Sequence, residues 1–322
     1  MDISSKRKNY IDLLKTIAVI LVFNSHLDKL YPISTLATGG AIGNTLFFFI
    51  SGYTWKNGAL KSSYFNWYFS KVKRIFFPTL ITNTIFLIFL FGRNANFLEL
   101  IKIYIYPNKS WFCGAILLYA LFYYFLAHKK DVQLYCFIII CTCLYFFWYL
   151  NFVDLNSFNV EYFVQGGLCR VLYYAICMTV GLLFNRQNNY SKVINKRTGL
   201  FLSFLFFILF FADKYLMSHY TVFMKMQFLN QAIALILVII LFLTARLFEE
   251  YINGSHYFRK FIHTVSDYSW EFYLVQTIVI PFCGIIGFPL NCIAAIVGSA
   301  ISAWILKTIV SRLIYLGDKL VK

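Results

Sequence analysis

The stretch IDLLKTIAVILVFNSH, Ile11 to His26, sets an acid, a base and an imidazole in an apolar run long enough to cross a bilayer. Lys15 and His26 are eleven residues apart, and eleven steps of a helix bring the second back to within about 20° of the first. Asp12 precedes Lys15 by three residues and shares that side. The rise from Lys15 to His26 is roughly 16 Å, about half the hydrocarbon thickness. Ala18, Val19 and Val22 lie between them and are small enough to leave a groove. An ionisable group in a span costs about 3 kcal/mol or more and marks function by default. The plainer account has Lys15 snorkelling to the interface and His26 sitting among the outer headgroups; their shared face argues against coincidence.

Other residues suit the same chemistry. In GGAIGNTLFFFISGYTW, Asn44 comes at about the depth of His26 and could bond an imidazole nitrogen or a substrate hydroxyl. Gly39, Gly40, Gly43 and Gly52 allow close helix approach, and packing explains them. Ser51 and Tyr53, in the inner half, fit a groove wall or packing equally. SKVKRIFFP gathers Lys71, Lys73 and Arg74, with Lys71 and Arg74 one turn apart. Membrane anchoring explains such a cluster; together with Lys15 it is also a candidate phosphate site. Trp111 in SWFCG and Gln165 and Arg170 in QGGLCR fall on the outer side. Arg170 lies several residues inside that surface and needs a partner or an anionic substrate group. Asp267 and Glu271 in SDYSWEFYLVQ are placed to pair with cations of the first or third helix, with Gln276 deeper.

The elements that must position these groups are membrane helices. Of 322 residues, 60% are hydrophobic and 13% charged, against roughly a quarter charged in soluble domains. The pattern predicts an all-α polytopic membrane protein with about ten transmembrane helices, at about 10–30, 39–55, 75–92, 111–127, 132–150, 163–184, 199–213, 228–245, 268–287 and 290–310. No polar stretch is long enough for a separate soluble domain, so 1–322 reads as one integral membrane domain. With the N-terminus in the cytoplasm, the inside segments hold 20 of the 29 Lys and Arg, the outside segments six, and the spans three. This asymmetry puts both termini inside. It also assigns the net charge of +16 to orientation and anionic headgroups, with no nucleic acid partner. KRKNY precedes a full-length span without a small-residue cleavage site, so no signal peptide is expected. The eight cysteines all fall within predicted spans and form no metal-type pair, so no metal is expected. The segment 92–110 contains NFLELIKIYIYP, which could lie in the interface.

The ordered set resembles the acyltransferase-3 family of integral membrane O-acyltransferases. IDLLKTIAVILVFNSH is similar to that family's first-helix signature, a cation ten intervening residues before a histidine. LFFFISGY resembles its second-helix motif, KVKR its basic motif before the third helix, and SWF and SDYSWEFYLVQ its later motifs. The resemblance covers nearly the whole chain. It implies transfer of an acyl group, most often acetyl from acetyl-CoA, to a hydroxyl of a glycan, glycolipid or other small acceptor. It makes His26 the catalytic imidazole and Lys15 its paired cation, with Lys71 and Arg74 binding the donor. The late motif often ends in His where Gln276 stands, and no stretch corresponds to the soluble esterase-like domain fused to some members.

The expected enzyme is thus an O-acetyltransferase of a bacterial inner membrane. Its donor substrate is cytoplasmic acetyl-CoA, with no permanently bound cofactor, and its acceptor a surface or lipid-linked glycan. Lys15, Lys71 and Arg74 would meet the donor phosphates, and Asn44, Trp111 and Arg170 the acceptor. A neutral His26 would accept the hydroxyl proton or carry the acetyl group itself. Asp12, about 21 Å from His26, would position Lys15. A glycan polymerase, a lipid-linked sugar flippase and a small-molecule transporter share the composition. The short outside loops, with His219 as their one histidine, lack the Arg- and His-rich loop expected of a polymerase.

Overall fold

The computed structural model describes residues 7–90, 111–155, 167–187 and 193–320. Among these residues every regular element is helical. The long helices are α1 (Asn9–Ser25), α2 (Gly40–Lys61), α3 (Tyr64–Leu90), α4 (Trp111–Ala127), α5 (Asp131–Phe152), α6 (Gly167–Arg186), α7 (Lys196–His219), α8 (Gln227–Leu247), α9 (His256–Cys283) and α10 (Leu290–Leu320). Short helical turns lie at Ser34–Leu36, Thr221–Met224 and Glu249–Gly254. The interfacial segment expected within 92–110, Gln165 and part of the 185–198 loop lie outside the described residues.

A helical backbone satisfies its own hydrogen bonds, so it is the form an apolar chain takes in lipid. Five helices are long and apolar enough to cross a membrane on composition alone: α5, α6, α7, α8 and α10, the last over Leu290–Leu316. They make this a membrane protein. The candidate chemistry is concentrated elsewhere, because α1, α3 and α9 carry Asp12, Lys15, Lys71, Lys73, Arg74, Asp267 and Glu271.

Some helix limits differ from the apolar runs. α1 stops at Ser25 because its last turn is turned back on itself: Ser25 Oγ donates to Val22 O at 2.7 Å, and the His26 amide closes on Phe23 O at 3.0 Å. α7 runs well past the expected 199–213. Its Asp213 is buried and accepts from Asn230 Nδ2 on α8 at 3.0 Å, so the charge does not end the helix. α9 begins at His256, twelve residues before the apolar run.

The chain divides into two compact units whose segments interleave along the sequence. Unit 1 comprises Met1–Ala18, Ala41–Asn57 and Phe125–His263. Here α2 crosses α6 with almost no separation: a Cβ on Gly52 would overlap the Met178 backbone, and one on Gly181 would overlap the Phe49 carbonyl. Phe242 of α8 fills the adjoining space, with its ring 5.2 Å from Phe49 and 5.7 Å from Phe184. Unit 2 comprises Val19–Gly40, Gly58–Tyr124 and Thr264–Lys322. Its apolar cluster of Phe23, Leu27, Leu30, Ile280, Cys283 and Ala295 joins the end of α1 to α9 and α10. Gly39 starts α2 at φ +100°, and a side chain there would also meet Leu21.

The α2–α6 crossing gives a direct test. Gly181→Ala should lower the detergent melting temperature by the equivalent of at least about 1–3 kcal/mol, the usual cost of overpacking. An unchanged melting temperature would remove the crossing as a fold determinant.

Candidate functional site

In unit 2 the basic motif occupies the second and third turns of α3. Lys71 is half-buried, with its Nζ 5.4 Å from the centroid of the buried Trp67 ring. Burial, and then the neighbouring Arg74 guanidinium, pushes Lys71 down to about 8. Arg74 is exposed. Glu271 of α9 is buried, and both Arg74 and Lys307 of α10 lie close enough to act on its charge. Lys307 Nζ donates to Asp267 O at 2.5 Å and lies 4.2 Å from the centroid of Tyr268. Three cations and one enclosed carboxylate therefore belong to a single electrostatic neighbourhood. Lys307 was visible in the sequence only as a charge within a span. Its link to Arg74 runs through Glu271, which no local spacing reveals.

Trp111 opens α4 and is half-buried. Its neighbour Phe112 packs on Trp270 and Tyr273 of α9, with ring centroids 6.0 and 5.2 Å away. Thr79 Oγ1 and Cys113 Sγ are 3.3 Å apart. Thr79 follows Arg74 by five residues, about 8 Å of rise. α4 therefore starts beside the middle of α3.

One continuous helix carries Lys15 and ends at Ser25, the residue before His26. Lys15 is half-buried in the second turn of α1, and His26 follows Ser25 directly with its side chain exposed. Asn24, two residues before it, ties down the outer strap: its Nδ2 donates to Leu36 O at 2.8 Å and Thr38 O at 2.9 Å, and its Oδ1 accepts from Tyr31 at 2.6 Å. The turn that carries His26 is therefore fixed by side-chain bonds as well as by packing.

In unit 1 the start of α1 sits in a polar network. Arg7 Nε donates to Asp12 Oδ2 at 2.5 Å, and His263 Nε2 lies 3.5 Å from the same oxygen and 2.6 Å from Asn9 Oδ1. Asp12, expected to position Lys15, is thus engaged by Arg7 and His263. His263 is half-buried among these groups. Tyr53 is a second junction: its hydroxyl meets Tyr10 at 2.8 Å and Lys8 Nζ at 2.9 Å, and its carbonyl accepts from Asn185 at 2.7 Å. That network gives Tyr53 a structural role. Asn44 and Arg170 are half-buried on α2 and α6. Asn44 Oδ1 is enclosed without a hydrogen-bond partner among the described residues. All eight cysteines are free thiols.

The site residues fall in two groups. His26, Lys71, Arg74 and Trp111 belong to unit 2, and Lys15, Asn44 and Arg170 to unit 1, with α1 passing through both. No curated protein and no solved structure gives a significant match. A family model described as an acyltransferase domain matches residues 8–313, a stretch that contains every one of these groups. The chain belongs to the acyltransferase-3 family.

Proposed function

We propose that the protein is a multi-pass O-acetyltransferase of a bacterial inner membrane, with ten spans and both termini in the cytoplasm. It moves acetyl from cytoplasmic acetyl-CoA to a hydroxyl of a surface or lipid-linked glycan. The observation that supports this reading is that α1 runs without a break from Lys15 to Ser25, the residue before His26, a rise of roughly 15 Å. That distance is comparable to an extended pantetheine arm. Lys15, Lys71 and Arg74 hold the donor phosphates, and the thioester reaches His26. The acceptor oxygen attacks the thioester carbonyl while His26 takes its proton. The C–S bond then breaks, the new C–O ester forms, and the proton passes to the departing coenzyme A thiolate. Asn44, Trp111 and Arg170 are assigned to the acceptor.

The orientation is tested by reporter fusions. Those after Lys130 and Arg197 should report cytoplasm and one after Asp154 the outside; reversal at two sites would defeat the topology.

His26→Ala and His26→Gln should each lower transfer by about 10²-fold or more, the usual scale for losing a general base. Donor binding should survive in both. Near-normal acetylation by a His26→Gln protein would reduce His26 to packing.

Donor affinity should depend on pH through Lys71. Below pH 8 the ammonium is charged and attracts phosphate. Above it the free protein loses that charge, so the dissociation constant should rise by up to about tenfold per pH unit until the pKa of the complex is reached. Lys71→Arg should flatten this limb, and Arg74→Ala should weaken binding about tenfold or more across the range. Calorimetric titrations with acetyl-CoA between pH 7 and 9.5 read both effects; a flat wild-type profile would remove Lys71 from the donor site.

A further inference from the structure

Two helices of unit 1 hold, at the ends read as outer-facing, polar groups that the fold does not use. Asn44 Oδ1 on α2, Gln227 Nε2 on α8 and Gln231 Oε1 on α8 are enclosed and have no hydrogen-bond partner among the described residues. Gln227 is 8% exposed. The two glutamines are one turn apart on the stripe of α8 that continues through Val238 to Phe242. Phe242 touches Phe49 of α2 and Phe184 of α6, so the stripe faces those two helices. Tyr173 of α6 ties the group together: its hydroxyl donates to Gln231 O at 2.9 Å and is 3.1 Å from Thr45 Oγ1, next to Asn44. All these residues lie near the N-terminal ends of their helices. The opposite ends carry Lys56, Lys61, Arg186 and Arg246, the basic ends expected at the cytoplasm.

Buried polar atoms are nearly always paired, so three unpaired amide atoms in one neighbourhood call for a ligand or ordered water. The pattern is informative. Each of the three side chains ends in a primary amide, which offers both an acceptor oxygen and donor N–H groups. A carboxylate or phosphodiester only accepts and can serve just the donor half of such a group. A sugar carries several hydroxyls, each able to donate and accept. The geometry points to an acceptor-sugar site formed by Asn44, Gln227 and Gln231, with Tyr173 and Thr45 as its frame. The assignment rests on the acetyltransferase reading above and gives that reading its acceptor contacts.

The test uses full-length protein in detergent, radiolabelled acetyl-CoA, and surface glycan extracted from host cells lacking the gene, so that its hydroxyls are unmodified. Gln227→Leu and Gln231→Leu should each raise the glycan concentration for half-maximal transfer at least tenfold. Acetyl-CoA affinity should stay within twofold of wild type, and the melting temperature should not fall, since an apolar group replaces an unpaired amide. If a Leu variant fails to insert, Gln231→Asn, which holds its amide one methylene short, carries the same comparison. Wild-type glycan dependence in the variants overturns the sugar site and leaves the enzyme reading intact. A fall in melting temperature with unchanged glycan dependence identifies an ordered-water site and also overturns it. A wild-type protein that transfers nothing to the glycan overturns the acetyltransferase reading itself.

Discussion

The carboxylate of Glu249 accepts from the backbone N–H of both Asn9, at 3.0 Å, and Tyr10, at 2.6 Å. Those amides belong to the first turn of α1, which has no intrahelical acceptors for them. An anion there also meets the positive end of the helix dipole. Because Glu249 comes from a distant part of the chain, it fixes where α1 begins, not merely that it is helical. Everything assigned to α1 depends on that origin. Asn9 adds side-chain bonds to Asn253 and His263, and Thr16 Oγ1 reaches Ile262 O at 3.3 Å. In unit 2, Phe23 packs at a tilt against Phe272, with ring centroids 5.0 Å apart, and Leu30 O accepts from Asn291 at 2.8 Å. The first turn of α1 is thus anchored within unit 1, and the segment that follows its last turn within unit 2.

Polarity is distributed unequally among the helices. α5 and α7 expose broad apolar faces, including Ile139, Phe147, Phe201 and Phe204, as lipid contact requires. The helices that carry ionisable groups instead turn them toward one another, as Glu271 does toward Arg74 and Lys307. Such groups are tolerated in a membrane protein when they are paired or serve a ligand.

Most helix positions could be read from the apolar runs. The fourth span coincides with α4, and the fifth and eighth differ from α5 and α8 by one or two residues at each end. The misplaced limits share a cause: hydropathy registers the lipid-matched part of a helix, not its backbone. It stops at Asp213, although Asn230 neutralises the difficulty, and it misses the amphipathic start of α9. It also carries α1 through the turn that Asn24 and Ser25 create. The basic motif was legible because its cations are neighbours in sequence. Glu271 was legible as a partner for cations of the third helix, and Arg74 lies near it; Lys307 beside it, Glu249 at the start of α1, and the amides of Gln227 and Gln231 were not, because each gains meaning from a helix far away in the chain.

The neighbourhood of Arg74 and Glu271 also bears on how the protein is made. The two residues are separated by 197 positions, the difference between 271 and 74. At about 5–20 residues per second of synthesis, α3 exists for roughly 10–40 s before its acidic neighbour emerges. The contact of Arg74 with Glu271 therefore cannot form until α9 has been made, late in synthesis. Translation order becomes part of the folding pathway.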